Sequence, residues 1–189
     1  FKYQSSDTQL LGIVIERALK NKSLSQYFQE EFWQPMGMEM DAQWSKDNPK
    51  GMEKTYCCFN ATVRDYAKLG QLLLNDGNWF GKQVLDSAFV QKMITPNKKA
   101  FNANEAQIYG YSVWMDYDYK TPFYTMLGHL GQRIIVVPKE KLVIVRTGKT
   151  HNDLPNSHPI SDGDVYRLVD EAMRINDKVK ENDTTNTIQ

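Results

Sequence analysis

Cysteine is nearly absent from this chain. Cys57 and Cys58 are the only two in 189 residues, and they are neighbours. Two is too few for a disulfide framework, and no Cys/His pair has zinc-ligand spacing, so neither a stapled scaffold nor a metal centre is expected, and no cofactor is called for. A bridge between adjacent cysteines is disfavoured because their Cβ vectors diverge. The pair is therefore expected as two small, buried, apolar side chains. Charge of one sign is also lacking, with Lys+Arg and Asp+Glu at 23 each. A neutral chain offers no electrostatic footprint to nucleic acid or to an anionic membrane surface. No apolar run approaches the roughly 20 residues that span a bilayer. The first residues, Phe1-Lys2-Tyr3, carry neither an initiating Met nor a signal-peptide pattern, so the chain is expected to begin inside a longer protein.

What is present is ordinary for a globular domain: 41% hydrophobic and 24% charged residues. Ser6-Asp7-Thr8-Gln9 has the form of a capping box. Behind it Leu10, Leu11, Val14, Ile15, Ala18 and Leu19 recur at three- and four-residue spacing, which predicts an amphipathic helix over 7–20 with those residues inward. A second helix is expected from Leu24 to Trp33, stopped before Pro35. Residues 36–60 read as irregular. Thr62 caps a strong helix that ends at Asp76-Gly77, and a short helix spans Asp86 to Ile94. The polar stretch after it, to about Gln107, reads as loop.

From Ile108 the period changes. Tyr109 to Tyr117 is rich in aromatics, and Arg133–Val137 and Lys141–Thr147 are β-branched runs separated only by Pro138-Lys139-Glu140. So short a connection predicts an antiparallel hairpin. A closing helix is expected over Asp164–Ile175, with Val165, Leu168, Val169 and Ala172 inward. Helices, then strands, then one helix make an α+β layout, one domain over 1–176 followed by a polar tail, 177–189, expected to be disordered.

Three short stretches hold residue types suited to chemistry: Tyr3-Gln4-Ser5 before the first helix, Tyr109-Gly110-Tyr111-Ser112-Val113-Trp114, and Leu127-Gly128-His129-Leu130-Gly131-Gln132 leading into the hairpin. Singly, each reads as well as packing or as a turn. In this order, with Ala-Thr-x-Arg-Asp-Tyr-Ala-Lys-Leu-Gly-Gln-Leu-Leu-Leu-Asn at 61–75 between the first and second, they resemble the serine hydrolases related to class C β-lactamases and penicillin-binding proteins. Within these the chain is most similar to the 6-aminohexanoate-dimer hydrolase branch with its esterases and peptidases. The resemblance runs from Tyr3 to about Gly148.

That resemblance implies a β-lactamase/transpeptidase-like fold and three active-site elements. Tyr3-Gln4-Ser5 stands for the Tyr-x-Asn or Tyr-x-Ser element, and His129-Leu130-Gly131 for the Lys-Thr-Gly or His-x-Gly element. The remaining element, Ser-x-x-Lys, occurs nowhere in the sequence. Thr95-Pro96-Asn97-Lys98 and Arg146-Thr147-Gly148 imitate motifs of the family without the right placement. The implied catalytic residues are Tyr3 and His129. Ser5, Tyr111, Trp114, Gly131 and Gln132 are implied to bind substrate, with a backbone N–H at Gly131-Gln132 turned to the oxyanion.

The chemistry explains the residue types. A serine hydroxyl attacks poorly until a base takes its proton. A free tyrosine titrates near ~10 and serves as that base only beside a cation such as the element's lysine. His129 in place of Lys lowers the expectation of strong β-lactam hydrolysis and favours short amides or esters. The implied protein is a periplasmic or secreted hydrolase of a small amide or ester, with Ser and Lys outside this chain. They are contributed either by upstream sequence or by a separate N-terminal chain. The alternative is a non-catalytic module that binds a ligand or peptidoglycan.

Overall fold

A computed structural model describes residues 3–96, 108–149 and 163–186. The elements are α1 (Ser5–Leu19), α2 (Leu24–Phe28) running on into a π-helical turn (Gln29–Trp33), β1 (Gln43–Trp44), β2 (Phe59–Asn60), α3 (Val63–Leu74), β3 (Asn78–Trp79), β4 (Lys82–Gln83), α4 (Ser87–Met93), β5 (Trp114–Asp116), β6 (Phe123–Gly128), β7 (Gln132–Val137), β8 (Leu142–Arg146) and α5 (Gly163–Asn186). Strands β5 to β8 form one antiparallel sheet in sequence order. The α+β layout and the predicted hairpin are both found.

The sheet is covered on both faces, which is why its strands read as continuous apolar runs rather than as an alternation. Ile135 and Val137 of β7 pack with Phe123, Trp114 and the buried Val165 and Val169 of α5. Their neighbours in the pleat, Ile134 and Val136, point the other way, toward α3 and α4, where Val136 joins Leu73, Val90, Val113 and Met115. At Gly70 the sheet comes so close to α3 that an added Cβ would lie 2.6 Å from Val143 Cγ1 and 2.9 Å from Ile134 Cγ2. The glycine in Lys-Leu-Gly-Gln is therefore a contact point between helix and sheet.

Thr62 caps α3 as expected, its hydroxyl accepting from the Asp65 N–H at 3.2 Å. The buried Asp65 then reaches back to the loop before β1, accepting from the N–H of Glu39 at 2.7 Å and of Met40 at 3.4 Å.

Several expectations need correction. The capping box at Ser6–Gln9 is not formed: Gln4 is the N-cap with no side-chain bond. Gln9 instead bonds the backbone of Glu53 and Thr55, and long-range polar partners outbid the local cap. The apolar stripe of α1 is turned outward, with Leu10, Leu11, Val14 and Ile15 exposed by 44–60%. The side that packs holds Gln9 and the buried Gly12, which lies against Thr55. Cys57 and Cys58 form a disulfide, with Cys57 half-buried and Cys58 exposed. The bridge closes because Cys58 adopts a left-handed backbone, φ 69°, rather than the extended form in which neighbouring Cβ vectors diverge.

Helix α5 continues through the polar segment to Asn186, where disorder is expected from composition. Lys180 ties it to Glu140 at 2.7 Å, and the Arg174–Glu171 pair lies along its surface. Residues 36–60, expected to be irregular, contain the small β1–β2 antiparallel pair. The polar stretch 97–107 and the end of the tail, 187–189, lie outside the described residues.

Candidate active site

The turn that carries His129 is built from the two strands it joins. Strand β6 ends at Gly128, and a single 3-10 turn, His129-Leu130-Gly131, returns the chain into β7. Leu130 (φ 56°) and Gly131 (φ 83°) both take left-handed backbone, which at the buried Gly131 costs nothing in Cβ clash. His129 and Leu130 stand exposed at the tip.

Two arginines hold this turn from below. Arg133 of β7, 4% exposed, donates from one guanidinium nitrogen to the Gly128 carbonyl at 2.7 Å and to the Gln132 carbonyl at 2.8 Å. Arg146 of β8 is its register partner, and donates to the Gly131 carbonyl at 2.6 Å. Guanidinium groups stay charged at any working pH. The turn thus rests on two fixed positive charges, each using a carbonyl as acceptor.

Gln132 is tied down as well. Its side-chain amide bonds both the carbonyl and the N–H of Gly148 across the hairpin. Its backbone N–H donates to the His129 carbonyl, not to an open cleft, as its place in the oxyanion site would require. Arg146-Thr147-Gly148, far from His129 along the chain, is brought by antiparallel pairing to the Gly131-Gln132 end of its turn. Distance along a hairpin strand says nothing of distance across it.

Tyr3 lies just before α1, 59% exposed. Its ring centroid is 5.5 Å from that of Trp114 and 6.0 Å from that of Tyr109, and those two rings are 4.6 Å apart. Trp114 opens β5 opposite Thr125 of β6, three residues before Gly128. The segment holding Tyr3 and the strand leading to His129 are thereby joined through β5. Burial of Tyr109 raises the pKa of its phenol, Tyr3 nearby adds to this, and a hydrogen bond with Ser112 opposes it. Tyr109 is therefore a neutral phenol at working pH.

Ser5 is exposed in the first turn of α1. Tyr111 is placed against α4, its ring 6.2 Å from Phe89 and its N–H on the Met93 carbonyl. Sequence reasoning missed Tyr109, Arg133 and Arg146 as neighbours of these groups. An arginine opening a strand carries no signal until the turn it supports is known.

Residues 1–160 match the family model described as Beta-lactamase. Among solved structures, a provisionally named 6-aminohexanoate-dimer hydrolase from Bacillus anthracis is 29% identical, with a TM-score of 0.77 over 96% of this chain and 45% of its own. A provisionally named β-lactamase from Bacteroides dorei DSM 17855, 18% identical, shares the fold with a TM-score of 0.59 over 78% of this chain and 51% of its own. The chain thus spans about half the length of these solved relatives. No curated protein matches it.

Proposed function

We propose, from the premise that this chain belongs to the β-lactamase family, that it is part of a serine hydrolase acting on small amides or esters through an acyl-enzyme. In this reading the nucleophilic Ser and its Lys lie outside residues 1–189, since the sequence contains no Ser-x-x-Lys. The observation that carries the proposal is the seat of Tyr3 on Trp114 and Tyr109. Without a shared site, no periodicity or cap relates the residue before α1 to the strand that leads toward His129. The outward apolar stripe of α1 is the surface against which the segment bearing the nucleophile packs.

The steps follow from these residues. Tyr3, standing beside the family's lysine as general base, takes the serine proton as the serine oxygen bonds to the acyl carbon. It then gives that proton to the departing amine or alkoxide. Water attacks the acyl-enzyme in the reverse sense, with Tyr3 again the base. Tyr109, held neutral by burial, does not compete for this role and contributes its ring as support. His129 stands at the tip of its turn to hydrogen-bond substrate. Because the Gln132 N–H is occupied by the His129 carbonyl, the principal oxyanion donor is assigned to the nucleophile's own N–H. Export to the periplasm or beyond belongs to the same proposal and rests on resemblance.

The experiment is Tyr3→Phe in the intact protein with p-nitrophenyl esters as substrates. Loss of a general base lowers kcat by about 10²–10⁴-fold, with KM little changed. Unchanged kcat would remove Tyr3 from the reaction.

A further inference from the structure

Away from the residues assigned to the reaction, the helical layer holds a concavity of about 560 Å³. It lies between α2 with its π-helical turn on one side and the loop 34–42 with β1 and β2 on the other. Its size is that of a small-ligand site. From its walls we infer that it is a binding site for an organic ammonium group.

Four aromatic rings line the cavity, Phe28, Trp33, Trp44 and Phe59, with neighbouring centroids 5.5–6.1 Å apart and mostly edge to face. Both indole N–H groups are already used: Trp33 donates to the Met40 carbonyl and Trp44 to the Lys54 carbonyl, each at 3.0 Å. The rings therefore offer aromatic surface and no indole donor.

The loop wall is sorted in the same way. The N–H groups of Glu39 and Met40 are turned to the buried Asp65. Glu39 and Asp41 both belong to the cavity lining, but the Glu39 carboxylate is paired with Lys68 at 3.4 Å and with Arg64 at 3.6 Å, so the charge offered to a ligand is that of Asp41. Ser25 spends its hydroxyl proton on Glu53 at 2.5 Å, so toward the cavity it can only accept. Burial opposes ionisation of Glu53, but bonds from Ser25 and the charge of Lys46 outweigh it and hold the pKa below the usual carboxylate range. The charged acceptor that fixes the Ser25 proton is thus present at neutral pH. The Gln29 and Gln34 amides retain donors, and an amide can present either end.

Four aromatic rings beside the Asp41 carboxylate, with no lysine or arginine in the lining, form the complement of a cation bearing apolar substituents. An anionic ligand would meet the Asp41 carboxylate with no cation in the lining to receive it. The π-helical turn supports the assignment independently. Such turns are rare and are found mostly where a helix has been altered for function. Here the i+5 bond from the Gln34 N–H to the Gln29 carbonyl, 3.0 Å, sets Gln29, Trp33 and Gln34 along one wall of the same cavity.

The test uses the intact protein labelled with 5-fluorotryptophan, with Trp33 and Trp44 resonances assigned by single Trp→Phe substitutions. Choline is titrated against its neutral carbon isostere, 3,3-dimethyl-1-butanol, and n-butylammonium against 1-butanol. Saturable shifts at Trp33 and Trp44 are expected with the ammonium ligands, about tenfold tighter than with the neutral partners. Asp41→Asn, at an exposed position, should weaken choline binding severalfold and leave the isostere unaffected. If choline prevails the site takes quaternary ammonium ions, and if n-butylammonium prevails it takes primary amines such as a lysine side chain. Equal affinity for cation and isostere, or no shift at either tryptophan, would overturn the inference. None of these readouts depends on hydrolysis, so failure here and failure of the hydrolase reading are separable.

Discussion

Arg133 and Arg146 face each other across β7 and β8, and each donates to a carbonyl of the turn that presents His129, Arg133 to Gly128 and Arg146 to Gly131. A three-residue turn with two left-handed residues has few ways to satisfy its own carbonyls. The hairpin supplies the missing donors from directly beneath. The buried member of the pair bears the greater consequence, because its guanidinium serves two carbonyls, those of Gly128 and Gln132, and its loss empties a buried position.

Arg133→Met is accordingly expected to destabilise the protein by about 2–4 kcal/mol, and Arg146→Met, at a half-buried position, by about 1–2 kcal/mol. Urea denaturation of both single variants and the double variant measures this. The effects should be non-additive, since both residues brace one turn. Strict additivity would show that the two guanidinium groups act on separate features.

Asp65 gives the fold an acid-sensitive joint. Burial raises its pKa, but hydrogen bonds from the Glu39 N–H, the Thr62 hydroxyl and the Met40 N–H, with the charge of Lys68, outweigh burial and hold it below the ordinary aspartate value. A carboxylate depressed in the folded state contributes stability that is fully present above its unfolded pKa, near ~4, and is lost as pH falls through the folded value. Stability measured against pH should therefore fall in the acid range below about 4, and Asp65→Asn should flatten that limb. At neutral pH the same substitution should cost about 2–4 kcal/mol. A variant with the acid limb unchanged would assign acid sensitivity elsewhere.

What the sequence disclosed follows the range of the forces involved. Thr62, three residues before Asp65, is a local cap and is legible from spacing alone. The β7–β8 hairpin is legible because Pro138-Lys139-Glu140 leaves no room for a crossover. Strand β6 is not: Phe123 to Gly128 has no polar alternation, because both faces of the sheet are covered. The inverted stripe of α1 is opaque for a related reason. A helical period tells which residues share a face, but what covers that face is decided by other parts of the protein. Tyr3 and Trp114 are 111 positions apart in the sequence, and their contact follows from no local rule. Family resemblance implies one site for Tyr3, Trp114 and His129, but the seat of Tyr3 on Tyr109 and the bracing of the turn by Arg133 and Arg146 follow from no sequence signal.

The stripe carries its own prediction. If Leu10, Leu11, Val14 and Ile15 lie against the segment that bears the nucleophile, Leu11→Gln with Val14→Gln should destabilise the intact protein by about 2–4 kcal/mol, as expected for losing two buried aliphatic side chains. Thermal unfolding of the intact protein reads this. Were the stripe free in the whole molecule, the change would stay within about 0.5 kcal/mol, the range of ordinary surface substitutions.

The central claim, that this chain supplies the base side of a serine hydrolase whose nucleophile lies elsewhere, is tested most directly by labelling the intact protein with a fluorophosphonate and mapping the modified residue by peptide mass spectrometry. The account predicts one modified serine, in a Ser-x-x-Lys outside residues 1–189, with labelling slowed by Tyr3→Phe. A modified serine within these 189 residues, or an intact protein that neither labels nor contains Ser-x-x-Lys, would contradict it.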